Sequence, residues 1–158
     1  MQSRLVRANI ALTGLFLVAL AVAIPLRAQR LGQVLIAAVS LVLFAIGVAT
    51  SIWAYAAALE RSRVDELGVA NLYLLTGETA PKPVKRAMSW ALAVQVVAAL
   101  GGASVGVAGL SGNQINALAF GVLVPMLGIG MNGAWAARYG SFGPRINIPS
   151  TSSKRRNG

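Results

Sequence analysis

The chain contains no cysteine and no histidine. These absences remove disulfides, thiolate chemistry, Cys/His zinc sites and Ser-His catalytic pairs together. Acidic residues are nearly missing as well: only Glu60, Asp65, Glu66 and Glu78 occur in 158 residues, against 14 Lys and Arg. All four acids fall in one stretch, where Arg61 and Asp65, and Ser62 and Glu66, stand four apart. On a helix that spacing reads as surface pairing and not as a catalytic carboxylate pair. Charge of either sign is scarce, since 11% of residues are charged and 56% are hydrophobic. A soluble domain carries about 25% charged residues. A chain this apolar cannot cover a water-facing surface with polar groups, and the bilayer is the solvent that suits it. No catalytic residue, cofactor or metal site is expected.

What the chain does have is long charge-free runs. After a basic head, 1–7, residues 8–26 give 19 positions without a charge. A helix rises 1.5 Å per residue, so about 20 residues cross a hydrocarbon core of roughly 30 Å. Ala21-Val22-Ala23 resembles a signal-peptidase site, but the run exceeds the usual apolar region of roughly 7–15 residues, so a retained helix is expected. Pro25 suits its end. A tight connection leads to a second run, 31–59, long enough to tilt or to leave the membrane. Its β-branched residues do not argue for a strand, because an open strand in lipid leaves backbone groups unpaired.

A polar stretch, 59–86, separates the apolar halves. Its part 60–75 could extend the second helix or lie on the surface as a short one. Thr76-Gly77-Glu78-Thr79 with Pro81 and Pro83 reads as a loop. Residues 87–137 then carry no charge at all, which suits two crossings turning at Ser111-Gly112-Asn113-Gln114. Pro125 should kink the last helix. The tail, 138–158, lacks apolar periodicity and is expected to be disordered. The expectation is therefore an all-α integral membrane fold with four transmembrane helices in two hairpins, 8–58 and 87–137.

Lys and Arg set the expected orientation. The head holds two, the central stretch five and the tail five, all on one side, while the other side holds only Arg27 and Arg30. The positive-inside rule places both termini in the cytoplasm. Trp53, Tyr55, Trp90, Trp135 and Tyr139 fall near helix ends on the basic side, where they would form an interfacial belt. The net charge of +10 flanks apolar segments, so anionic lipid is the expected partner and nucleic acid is not. Arg138, Lys154, Arg155 and Arg156 are the candidate headgroup contacts. The excess of Arg over Lys, with abundant Ala, Val and Gly, suggests a GC-rich bacterial genome and hence a bacterial plasma membrane.

Small residues recur at helical spacing. Gly102 and Gly106 form a GxxxG pair that Ala98 extends by one turn, a candidate helix-packing face within the monomer or between subunits. Gly128-Ile129-Gly130-Met131-Asn132-Gly133 matches GxGxxG literally. A dinucleotide site also needs a preceding strand and an acid about 20 positions later. Neither is present, so Gly130 and Gly133 are expected to thin a helix for packing. The polar intramembrane residues are all uncharged, which argues against an ion-coupled pump. Gln95 and Asn132 are the deepest amides and are expected to bond between the third and fourth helices, as glue rather than as a polar path.

In size and four-crossing plan the chain resembles the small multidrug resistance transporters. That family needs a membrane-embedded Glu in its first helix, and no acid stands between Met1 and Leu59. The resemblance implies no site residue here. The expected role is a non-enzymatic accessory or assembly subunit, as a homo-oligomer or within a larger membrane complex. The alternative is a small transporter or channel for a neutral or lipid-like solute.

Overall fold

The computed structural model describes residues 2–61, 68–108 and 116–142. Every regular element among them is helical: α1 (Gln2–Ala23), α2 (Arg30–Arg61), α3 (Val69–Tyr73), α4 (Lys82–Ala108), a 3-10 segment (Ala117–Leu123) and α5 (Pro125–Tyr139). Four units are long and apolar enough to cross a membrane: α1, α2, α4, and the 3-10 segment joined to α5.

The ends of these helices follow local chemistry. α1 takes in the basic head and stops at Ala23, two residues before Pro25, whose ring and missing N–H oppose continuation. The turn to α2 is held by Gln29 N–H donating to Leu26 O at 2.8 Å and by Gln33 Nε2 donating to Arg27 O at 3.0 Å. α2 has 32 residues, about 48 Å of helix, so it outruns the roughly 30 Å core. Its described part runs to Arg61, and α3 is a helix of five residues that follows extended Gly68. Residues 62–67, part of the stretch with two readings, lie outside the described residues.

Two expectations about the second half need correction. α4 begins at Lys82, inside the stretch read as a loop. Pro83 sits in its first turn, where a helix does not use the backbone donor that proline lacks. Pro125 does not kink the middle of one α-helix; it opens α5, directly after the 3-10 segment. Proline cannot donate to Gly121 O, which instead accepts from Val124 N–H at 3.0 Å. That shift to a shorter bond tightens the preceding turn into 3-10 geometry.

α5 is the centre of the bundle. Of the last span, 56% is buried inside the protein, against 28% of each other span. Its composition explains the position: Gly128, Gly130, Gly133, Ala134, Ala136 and Ala137 are all buried, and small residues let several helices approach one axis. The most extensive packing joins α2 to α5, followed by α4 against the 3-10 segment. At the α2–α5 crossing, Gly47 faces Gly130. A Cβ on Gly47 would lie 2.5 Å from Leu127 N and Met126 C, and one on Gly130 would run into Gly47 O. The outer faces are aliphatic, with Val18, Leu31, Ile52 and Val97 all more than 60% exposed, as lipid-facing positions would be.

Candidate functional site

The deepest polar feature is centred on Gln95, which is fully buried on α4. Its Nε2 donates to Thr13 Oγ1 at 2.7 Å and to Asn9 Oδ1 at 3.3 Å, both on α1. Its Oε1 accepts from Gly128 N–H at 3.1 Å, in the first turn of α5. Thr13 Oγ1 donates to Asn9 O at 2.7 Å, and Asn9 Nδ2 rests 3.6 Å from Met88 Sδ. One amide therefore ties three helices and satisfies an N–H that a helix start leaves unpaired. Each arm of Gln95 has a protein partner, and Asn9 and Thr13 are almost wholly buried. Within this apolar surround the network works as internal bonding.

Asn132 does something different from the expected bond between the third and fourth helices. Its Nδ2 donates to Tyr73 O at 3.1 Å, so it holds the segment between α2 and α4 and not α4 itself. Its Oδ1 is buried without a protein partner. Tyr73 also donates its hydroxyl to Ser51 O at 3.0 Å. The segment thus folds over the end of the bundle, with Leu72, Leu75, Thr79 and Ala80 buried there. Leu75 has φ +53°, a left-handed conformation that costs a leucine roughly 1–2 kcal/mol. That backbone turn goes with full burial of its side chain. Ser141 N–H donates to Thr79 O at 3.0 Å, joining the end of α5 to the same segment. Burial is the main cause, and Tyr55 a lesser one, of a Tyr73 pKa raised above its ordinary 10.0.

The small residues singled out by spacing are placed as follows. Gly102 lies against Leu20 of α1: a Cβ there would be 2.7 Å from Leu20 Cδ1. Gly106 lies against Asn116, which donates from Nδ2 to Ala103 O at 3.0 Å. Ala98 is half-buried at the edge of the core. In the GxGxxG stretch, Gly128 faces Gln95 and Gly130 faces the Gly47 backbone. Gly133 faces the Tyr73 ring, where a Cβ would lie 2.7 Å from Tyr73 Cε1. Each glycine leaves room for a neighbour from the same chain. Ser104 is exposed and donates to Leu100 O at 2.8 Å within its own helix. Gln95, Ser104 and Asn132 do not converge on one cavity.

No protein family, curated protein or solved structure matches this chain.

The geometry of its own residues therefore carries the functional reading. The aromatic belt needs one correction: Trp135 is fully buried, its ring 5.9 Å from that of Tyr139 and tilted by 50°, because α5 runs through the centre. Trp53, Tyr55 and Trp90 remain exposed. Among the headgroup candidates, Arg138 is exposed in the last turn of α5, where a cation suits the helix dipole. Lys154, Arg155 and Arg156 lie outside the described residues. Arg138 lines a groove with Arg4 of α1 and Trp53 of α2. Spacing alone does not reveal that meeting of α1 and α5. The Asn9–Thr13 partnership with Gln95 had one visible signal, since two polar residues four apart share a helix face.

Proposed function

We propose that this chain is a multi-pass plasma-membrane protein, bacterial in origin, with both termini and the 59–86 stretch in the cytoplasm. In this reading it is a non-enzymatic accessory or assembly subunit that works through its outer surface. The observation that carries the reading is the closed Gln95 network. The fully buried Gln95 amide spends both arms on Asn9, Thr13 and Gly128 N–H, which leaves it no free group to offer a passing solute. The glycines at Gly102 and Gly106 are likewise taken up by Leu20 and Asn116. Among the described glycines of α4, Gly101 alone meets no neighbour within 4 Å. It stands beside exposed Val97, Leu100 and Val105, a place where a second membrane helix could approach closely.

Extraction of the native protein in mild detergent followed by native mass measurement tests this. The 16.3 kDa chain should travel with a second copy or a stoichiometric membrane partner, and Gly101→Leu should release it. A chain that stays monomeric, together with solute uptake into proteoliposomes that contain it, would replace this reading with the transporter alternative.

A further inference from the structure

The groove where α1, α2 and α5 meet is a surface with charge of one sign. Arg4 of α1 and Arg138 of α5 line it together with Leu5, Thr50, Trp53, Ala134 and Tyr139, and it holds about 330 Å³ of space. No carboxylate lines it among the described residues. Arg4 begins the first membrane-length span and Arg138 falls in the last turn of the fourth. Both guanidiniums therefore sit at the level where a helix leaves the hydrocarbon.

We propose that this groove seats the phosphate of one anionic phospholipid, with its acyl chains lying along the exposed apolar sides of α1 and α2. The proposal rests on the membrane reading above but not on the accessory role. Three observations favour a lipid over a soluble anion. Guanidinium groups present paired donors that match phosphate oxygens, and here two of them line one depression. Apart from Thr50, whose hydroxyl is turned to Ile46 O and Gly47 O of its own helix, the rest of the lining is apolar or aromatic, which suits glycerol and the first methylenes of a lipid and offers little to a hydrated ion. Trp53 is 47% exposed and Ile52, next along α2, is 65% exposed, so the groove continues into a surface that lipid would wet. Trp and Tyr rings prefer this interfacial level. The volume stands at the lower end of the roughly 300–1,000 Å³ of small-molecule sites, enough for a headgroup while the chains remain outside.

The test uses the full chain reconstituted in nanodiscs and in liposomes. Brominated phosphatidylglycerol should quench Trp53 fluorescence more than brominated phosphatidylcholine does, and Trp53→Phe should remove that excess. Arg4→Gln and Arg138→Gln should each weaken the preference for phosphatidylglycerol about fivefold, the effect of one interfacial cation. Arg86→Gln, an exposed cation outside the groove, should have a clearly smaller effect on the preference read at Trp53. Millimolar inorganic phosphate should not compete. If Arg4→Gln and Arg138→Gln behave like Arg86→Gln, or if the excess quenching survives Trp53→Phe, the site is refuted. Competition by inorganic phosphate would refute the lipid as occupant. Loss of the protein from liposomes on alkaline extraction would instead refute the membrane reading itself. All four substitutions are at exposed positions, so a normal melting profile is expected in each.

Discussion

Replacing Gly130 by alanine adds one methyl group at the α2–α5 crossing, the most extensive helix packing in the bundle. The new Cβ would run into the Gly47 carbonyl, and Gly47 C would lie 3.0 Å away. Overpacking costs typically about 1–3 kcal/mol. The obstruction is the Gly47 carbonyl together with Thr50 Oγ1, which is itself bonded to Ile46 O and Gly47 O; backbone cannot swing aside as the tip of a side chain can, so the upper part of that range applies. Alanine recovers about 1 kcal/mol through its better helix propensity, which leaves a net loss of roughly 2 kcal/mol. For a chain of this size that corresponds to a fall of about 4–8 °C in Tm. Gly47→Ala should act alike, because its Cβ would meet Leu127 N and Met126 C at 2.5 Å. Gly101→Ala is the contrasting change. Nothing within the chain lies within 4 Å of its Cβ, so in the isolated monomer only the propensity gain remains and its Tm should rise by about 2–4 °C. Gly102→Ala should fall between, since the atom it meets, Leu20 Cδ1 at 2.7 Å, ends a flexible side chain. Thermal unfolding in mild detergent, followed by tryptophan fluorescence, would rank the four variants. Gly130→Ala melting with the parent while Gly101→Ala is destabilised would refute this account of the crossing.

Gln95→Leu keeps the volume but strands Gly128 N–H and the α1 partners; it should lower stability by about 1–2 kcal/mol. A double-mutant cycle with Thr13→Ala should show non-additivity, and simple additivity would mean the 2.7 Å bond contributes nothing. Tyr73 has a folded pKa above 10.0 through burial first and Tyr55 second. In alkali the unfolded chain therefore loses its phenolic proton before the folded one does. The stabilisation is complete below about pH 10 and is lost as pH rises through the folded value. Tyr73→Phe should remove that alkaline loss from melting curves, and an unchanged pH profile would dissociate it from Tyr73. A reporter active only outside the cytoplasm should be active when fused at Gly112, which lies outside the described residues, and silent when fused at Gly158; the opposite result would reverse the orientation drawn from Lys and Arg.

The membrane-spanning character was legible in the sequence because it depends on sums over neighbouring residues. Charge-free runs of sufficient length suffice for four membrane-length helices, and the absence of Cys and His is a property of the chain in any conformation. Pro25 ended α1 for a local reason, as local reasoning expects. Pro125 escaped that reasoning, because an interior proline can either kink a helix or start one. The choice here goes with Gln95, 33 positions earlier in the chain, accepting from Gly128 N–H. The small residues show the same limit. GxxxG spacing marks a face of a helix but does not say what meets it, and only the fold brought Leu20 to Gly102 and Asn116 to Gly106. Gly47 carried no motif and yet faces Gly130 at the central crossing. Arg4 and Arg138 stand at opposite ends of the sequence and share a groove only because α1 and α5 pack together. Composition and periodicity act through neighbours along the chain and decide which segments become helices. Contacts between distant segments depend on how those helices cross, and that is decided by close packing in three dimensions.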